Sequence, residues 1–366
     1  MDGVTEGALR QMLQRAWGWG EVRLVPLTGG HTNRSFLVHG DAPPCVARLS
    51  WAGKTATQVD REARMLALAT EGLHTIAVPT IIPTLHGAGH VTTAAGQWLH
   101  VFERIEGTTG VPVGVPGASA DAMRGLATLH AALARAATDT GDPVAWLLTR
   151  YRRVYSRGMP TCMHGLVRER EYDAVLTHAG DCLARASTSS WASRRIQWLH
   201  GDFHAGNLLF QGARLRGVVD FDEVGQGSAW LEAAFAAFAL SRDVTREDAF
   251  CFDTIAWGQS MCNYACSGSV GDVATWIARR DVLATLFCVD QVLIHLEAAQ
   301  RGLWIPGPGM GFLGGWQTLL QLAQASPASA VGEASQRRTA STVASLVSAQ
   351  GDPSCRQTTA SSPAAD

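Results

Sequence analysis

The chain has 366 residues, enough to bury a large core and to form two lobes more readily than one small domain. Hydrophobic residues make up 46% and charged residues 17%, the balance of a soluble globular protein. The 30 basic and 32 acidic side chains leave a net charge of −2, which supplies no basic field for nucleic acid or an anionic membrane.

At the start of the chain, Met1-Asp2-Gly3-Val4-Thr5-Glu6 has neither the basic nor the apolar stretch of a secretory leader, so a cytoplasmic protein is expected. The first third reads mostly as strands: Val22 to Leu27, Ser35 to Val38, Cys45 to Leu49 and Gln97 to Phe102. Between the first two, Gly29 and Gly30 give a turn whose backbone can approach phosphates, because no Cβ keeps them away; an ordinary turn has the same composition. Thr57 to Glu71 is predicted helical, with Val59, Ala63, Leu66 and Ala67 at helical spacing. Arg48 on the third strand and Glu62 on this helix are expected to form a phosphate-binding cation and its anchor. Lys54 competes with Arg48 but is read as a mostly solvated loop lysine, and Glu62 is equally read as part of a charged face with Asp60, Arg61 and Arg64. Glu103, Arg104 and Ile105 follow the last strand, where a purine would dock on main-chain groups; nothing there separates ATP from GTP.

The Gly- and Pro-rich stretch from Gly107 to Gly117 reads as a linker. The pattern beyond it is mainly helical: Ala122 to Ala137, Trp230 to Leu240 and Asp272 to Arg301, and no apolar run is expected to approach membrane-spanning length. The 8 cysteines include no C-x-x-C pair, and Cys262 with Cys266 lacks partners for a zinc site, so reduced thiols are expected. Residues 326–366 are rich in Ala, Ser and Thr without an apolar period and are expected to be disordered.

The most informative segment interrupts the helical region. His200-Gly201-Asp202-Phe203-His204-Ala205-Gly206-Asn207 is followed by strand-like Leu208 to Phe210, a turn at Gln211-Gly212-Ala213, and strand-like Gly217 to Val219 ending at Asp220. A hairpin of that length brings Asn207 and Asp220 together, with Asp202 just upstream. Two oxygen ligands for Mg²⁺ and a separate Asp for the attacking hydroxyl are what phosphoryl transfer requires.

In this order the residues resemble the aminoglycoside phosphotransferase/choline kinase superfamily, homoserine-kinase-like members included. The resemblance runs from Val22 to Leu240 and is carried by Leu27 to Phe36, Val46 to Leu49, Arg61-Glu62-Ala63, Glu103 to Gly107, Leu126 to His130 and the two catalytic segments. It implies an α+β, two-lobed protein-kinase-like fold: an N-terminal nucleotide-binding lobe with an antiparallel sheet and one helix over residues 1–105, and a mainly helical catalytic and acceptor-binding lobe over 106–325. It also implies Asp202 as catalytic base with His200 orienting its loop, Asn207 and Asp220 as Mg²⁺ ligands, and Gly29, Gly30, Asn33, Arg48, Glu62, Glu103 and Ile105 around ATP or GTP. His204 touches phosphate or fills the loop, on this reading. The usual Pro-x-x-Asp after the metal loop is here Ser228 to Glu232, so its acid is absent or replaced by Glu232.

Only Asp222 to Ser228 separates Asp220 from the helix near Trp230, too little for a peptide-docking platform. A small hydroxylated acceptor is therefore expected, an antibiotic or an amino-alcohol metabolite, on a monomeric or homodimeric enzyme. A protein Ser/Thr kinase and a nucleotide-binding pseudokinase are the alternatives. Such acceptors are mostly cationic, which points to Asp222, Glu223 and Glu232 as an acidic acceptor cleft. Asp290 and Glu297, seven residues apart, are either an extension of that wall or plain surface charge.

Overall fold

A computed structural model of the chain describes residues 4–27, 33–138, 144–188, 196–241, 254–267 and 273–302. The expected tail at 326–366 and the Gly29-Gly30 turn lie outside the described residues.

The chain opens with helix α1 (Glu6–Trp17), which the sequence reading did not anticipate. Thr5 caps it by accepting the Ala8 N–H at 3.2 Å, and Gly18 ends it in the left-handed region at φ 73°. Leu9, Leu13 and Trp17 fall on one face and are buried. They pack on a five-stranded antiparallel sheet formed by β1 (Val22–Pro26), β2 (Arg34–Gly40), β3 (Cys45–Leu49), β4 (His90–Thr92) and β5 (Trp98–Glu103), in the order β1-β2-β3-β5-β4. Leu24, Phe36, Val38, Ala47, Leu49, Leu99 and Val101 complete this first core. Strand alternation sends Arg48 to the opposite face, and it lies opposite His100 in the β3–β5 register.

Helix α2 (Ala56–Gly72), between β3 and β4, starts at a capping box: Thr55 Oγ1 accepts the Gln58 N–H, and Gln58 Oε1 accepts the Thr55 N–H. Its buried Met65, Leu66 and Ala69 belong to a second, larger core together with Phe102 and the helical part of the chain. Strand β6 (Thr108–Thr109) follows, inside the stretch read as a linker. Next come α3 (Ala118–Leu133), α4 (Ala145–Arg157), α5 (Glu169–Thr188), β7 (Gln197–Leu199), β8 (Leu208–Gln211), β9 (Arg214–Val218), β10 (Gly225–Gly227), α6 (Ala229–Ser241), α7 (Thr254–Cys266) and α8 (Val273–Gln300).

Strands β6, β8 and β9 form one small antiparallel sheet, and β7 pairs with β10 in another. Ala77, in the segment before β4, bonds across to the end of β9, donating to the Arg216 carbonyl at 2.8 Å and accepting from Val218 at 2.9 Å. Helix α6 is apolar on all sides because it runs through the second core, against α3, α7 and α8.

One sequence expectation needs correction. The stretch Val282–Gln300 of α8 is long and apolar enough to cross a membrane by length and composition. Here it is a core helix: Leu283, Leu286, Val289, Val292, Leu293 and Leu296 are buried among α4, α5, α6 and α7. Its acids do not form an acceptor wall either. Asp290 pairs with Arg150 of α4 at 2.7 Å, and Glu297 pairs with Arg153 at 2.9 Å and with Arg150 at 3.3 Å.

Candidate active site

The β8–β9 hairpin carries the catalytic segment on one arm and the metal segment on the other. Leu208 stands opposite Val218, and just past this pair the Val219 N–H donates to the Asn207 carbonyl at 2.9 Å, so the hairpin fixes Asn207 beside the residue that precedes Asp220. His200 ties the same two segments from below. Its Nε2 lies 3.0 Å from the Val219 carbonyl, and its Nδ1 accepts the Asp202 N–H at 3.2 Å, so the ring carries its proton on Nε2. Burial holds its pKa below the ordinary histidine value, consistent with that neutral form.

Asp202 stands half-exposed at the mouth of this frame. Asn207 Nδ2 donates to its main-chain carbonyl at 2.9 Å and to its Oδ2 at 3.1 Å. His204 Nε2 lies 3.3 Å from Oδ2, while His204 Nδ1 accepts the Gly206 N–H at 3.0 Å. Burial opposes ionisation of Asp202, but the His204 hydrogen bond and neighbouring charges outweigh it and hold the carboxyl below its ordinary range. His204, left open by the sequence, is thus a partner of Asp202.

Asp220 has a φ of 64°, the only non-glycine residue with positive φ among the described residues. Such a backbone persists only where its surroundings enforce it, and it tends to mark functional loops. Burial, together with the charges of Asp222 and Glu62, raises the Asp220 pKa against the pull of Arg48. One third of its side chain remains exposed. Asn207 Oδ1 receives no hydrogen bond among the described residues. A partly exposed carboxylate and an amide oxygen without such a partner on the same hairpin suit a hard cation that keeps waters and takes phosphate oxygens.

Gly201 lies where the two loops touch. Its φ is 87°, and a Cβ there would sit 2.1 Å from the Glu223 carbonyl oxygen. Beneath it, Glu232 of α6 accepts N–H groups from His200, at 3.2 Å, and from Gly201. The same carboxylate meets His130 Nε2 at 2.6 Å, and His130 Nδ1 meets the Tyr264 hydroxyl at 2.7 Å. Glu232 is therefore a buried brace under the catalytic loop, and the expectation that it lines an acceptor cleft is corrected. Burial opposes its charge, but the His130 hydrogen bond and the nearby His130 and His200 keep its pKa low. His130 and Tyr264 were missed by sequence reasoning, although His130 ends one of the matching motifs.

On the sheet side, Arg48 bonds Glu62 through Nη2, and its Nη1 lies 3.3 Å from Asp220 Oδ1. Its guanidinium also stacks 4.9 Å from the Phe102 ring. Glu62 is buried, which removes the reading of it as a solvated face. Lys54 is buried as well: its ammonium lies 2.5 Å from Glu62 Oε2 and also bonds Asp222 Oδ1. The expectation of a solvated Lys54 is corrected. Asp222 accepts Asn33 Nδ2 on its other oxygen at 2.8 Å, so both oxygens are engaged within the protein and Asp222 is corrected from acceptor wall to cluster member. Asn33 holds the Trp51 N–H with its Oδ1 at 3.2 Å. Glu223 alone of the three proposed acceptor acids remains exposed. Glu103 ends β5, donating its N–H to Thr80 at 2.9 Å, and Ile105 packs its side chain near Gly217.

A family model described as a phosphotransferase enzyme family matches residues 23–254. No curated protein matches the chain in sequence. Among solved structures it is similar to a microcompartment-associated aminopropanol kinase, at 19% identity and a TM-score of 0.62, over 87% of this chain and 96% of that one. It is also similar to an amicoumacin kinase in complex with AMP-PNP, Ca²⁺ and Ami (11% identity, TM-score 0.61, 87% and 93% covered). A macrolide 2′-phosphotransferase from Brachybacterium faecium follows at 17% identity and a TM-score of 0.55, with 82% and 98% covered.

Proposed function

Because the chain belongs to the phosphotransferase enzyme family, we propose that it transfers the γ-phosphoryl group of ATP or GTP to a hydroxyl of a small molecule, an antibiotic or an amino-alcohol metabolite. The observation that carries this reading is the convergence of Asp202, Asn207 and Asp220 on one hairpin, fixed from below by the neutral His200.

Asp202, ionised near neutral pH, accepts a hydrogen bond from the acceptor hydroxyl and takes its proton as the new P–O bond forms and the bond from the γ-phosphorus to the departing nucleoside diphosphate breaks. His204 and Asn207 keep that carboxylate in one orientation. Asn207 Oδ1 and the Asp220 carboxylate would hold Mg²⁺, which neutralises the phosphate oxygens when bound. Arg48, anchored by Glu62, reaches toward the same side as Asp220 and supplies charge to the phosphates. The main chain at Glu103 and Ile105 receives the purine.

A small acceptor is supported by the short path from Asp220 to α6: residues 221–228 include β10, which is pinned to β7. No length remains for a peptide platform. A cationic acceptor is supported by Glu223, solvent-accessible beside Asp202; partial desolvation and the charges of Asp222, Asp202 and Asp220 push its pKa up, and a bound cation would relieve the repulsion among these carboxylates. The test is to incubate the protein with ATP or GTP, Mg²⁺ and a panel of amino alcohols, macrolides and aminoglycosides, and to read the products by mass spectrometry. Gain of one phosphate on a panel member is expected. Phosphate appearing only on added proteins, or on nothing, would refute the assignment.

A further inference from the structure

Four carboxylate and ammonium partners meet at one point between the sheet and the metal loop. Lys54 lies in the turn between β3 and α2, and this turn is fastened on several sides. Trp98 Nε1 donates to the Lys54 carbonyl at 2.8 Å, Ser50 exchanges two hydrogen bonds with Trp98, and Gln97 Nε2 donates to the Ser50 carbonyl at 2.6 Å. The turn thus delivers an ammonium, 1% exposed, between Glu62 and Asp222. A lysine so buried is rare unless its charge is matched on the spot.

The charges explain what it matches. Glu62, Asp220 and Asp222 place three carboxylates together, and Arg48 alone lies within 4 Å of all three, at 3.3 Å from Asp220 and 3.6 Å from Asp222. His100, opposite Arg48, is pushed down to about 3 by burial and by the Arg48 charge, so it adds no further cation. Without Lys54, Arg48 would face these three anions with no second cation beside it, and Asp222 would repel its neighbour Asp220. With Lys54 and Asn33 each holding one oxygen of Asp222, that carboxylate is spoken for, and Asp220 keeps its exposed face.

We propose that Lys54 is a positioning residue for the phosphoryl-transfer site: by neutralising Asp222 it fastens the metal loop to the β3–α2 turn and leaves Asp220 and Arg48 free for the nucleotide and its cation. Lys54 itself touches neither. The proposal rests on the functional reading above.

The experiment compares the wild-type protein with K54M, K54R, D222N and the double variant K54M/D222N. Affinity for a non-hydrolysable ATP analogue is measured by calorimetry across a Mg²⁺ titration, and stability by urea unfolding. K54M is expected to bind on the order of 10–100-fold more weakly and to need more Mg²⁺ for half-saturation, the scale expected when a group that orients a metal-binding loop is lost. K54R recovers part of this, since it keeps the charge with a different reach. K54M/D222N binds more tightly than K54M, because both unpaired charges are gone. A Lys54 that merely filled space would show no such rescue. The proposal is overturned by a K54M protein with wild-type Mg²⁺ dependence, or by a double variant no better than K54M. If K54M does not fold, K54M/D222N is expected to fold, and its failure also overturns the pairing. A wild-type protein that binds no nucleotide sinks the functional reading instead; the unfolding data then judge Lys54, and a double variant no more stable than K54M overturns the pairing.

Discussion

At the scale of single residues, each group around Asp202 has an atom-level reason to be there. His200 reads one N–H and one carbonyl, so only its Nε2–H tautomer satisfies both. Asp202→Asn is expected to lower kcat by about 10²–10⁴ while leaving nucleotide affinity nearly unchanged, since the amide cannot accept the hydroxyl proton. Stopped-time kinetics with parallel calorimetry checks it, and near-normal turnover would remove Asp202 from that role. Glu232 makes a stability prediction. Its pKa is depressed in the folded protein, so its contribution is present above the ordinary carboxylate value of 4.5 and is lost as pH falls through the lower folded value. Glu232→Gln should flatten this acid limb of urea-unfolding stability against pH. Glu232→Ala, which strands His130 and two N–H groups, should cost about 3–5 kcal/mol. An unchanged acid limb in the Gln variant would show that the brace is not ionised. What sequence could not convey here was partnership across long separations. Lys54 looks like any loop lysine until Glu62 and Asp222, 168 residues away, are seen around it.

At the scale of elements, the β8–β9 hairpin was legible because its two apolar runs and its turn are local signals. Helix α1 carries local signals too, with Thr5 as cap, Leu9, Leu13 and Trp17 on one face, and Gly18 as stop, but its 12 residues hold only these three core positions, a weak period beside the strand-rich stretch that follows. Helix α8 shows the converse difficulty. Apolar residues on all sides fit both a membrane span and a core helix, and only its neighbours decide which. The element-level prediction concerns the crossing of the catalytic and metal loops. Gly201→Ala must relieve a 2.1 Å approach to the Glu223 carbonyl and also hold φ near 87°, so the two loops are expected to separate. Activity should fall far more than the Tm does. A Gly201→Ala protein with wild-type turnover would mean that the loops do not need this contact.

At the scale of the whole molecule, Phe102 of the sheet and Met65, Leu66 and Ala69 of α2 pack into the core of the helical part, and polar links join the two as well: Ala77 on β9, Asn33 and Lys54 on Asp222, and Arg48 on Asp220. The order of motifs along the chain foretold that these parts would meet, and Asp202, Asn207 and Asp220 are brought together as their spacing suggested. The acceptor side was far less legible. Of the acids offered for it, Glu232, Asp290 and Glu297 serve as braces, and Asp222 serves the junction. Nearness in sequence to a reactive Asp does not say which way a carboxylate turns. The account's central claim is that Asp220 and Asn207 bind a cation that carries the nucleotide phosphates. Calorimetry of a non-hydrolysable ATP analogue, with and without Mg²⁺, on the wild type and Asp220→Ala tests it directly. Mg²⁺ should strengthen binding to the wild type and have little effect on the variant, whereas an equal Mg²⁺ effect on both proteins would contradict the claim.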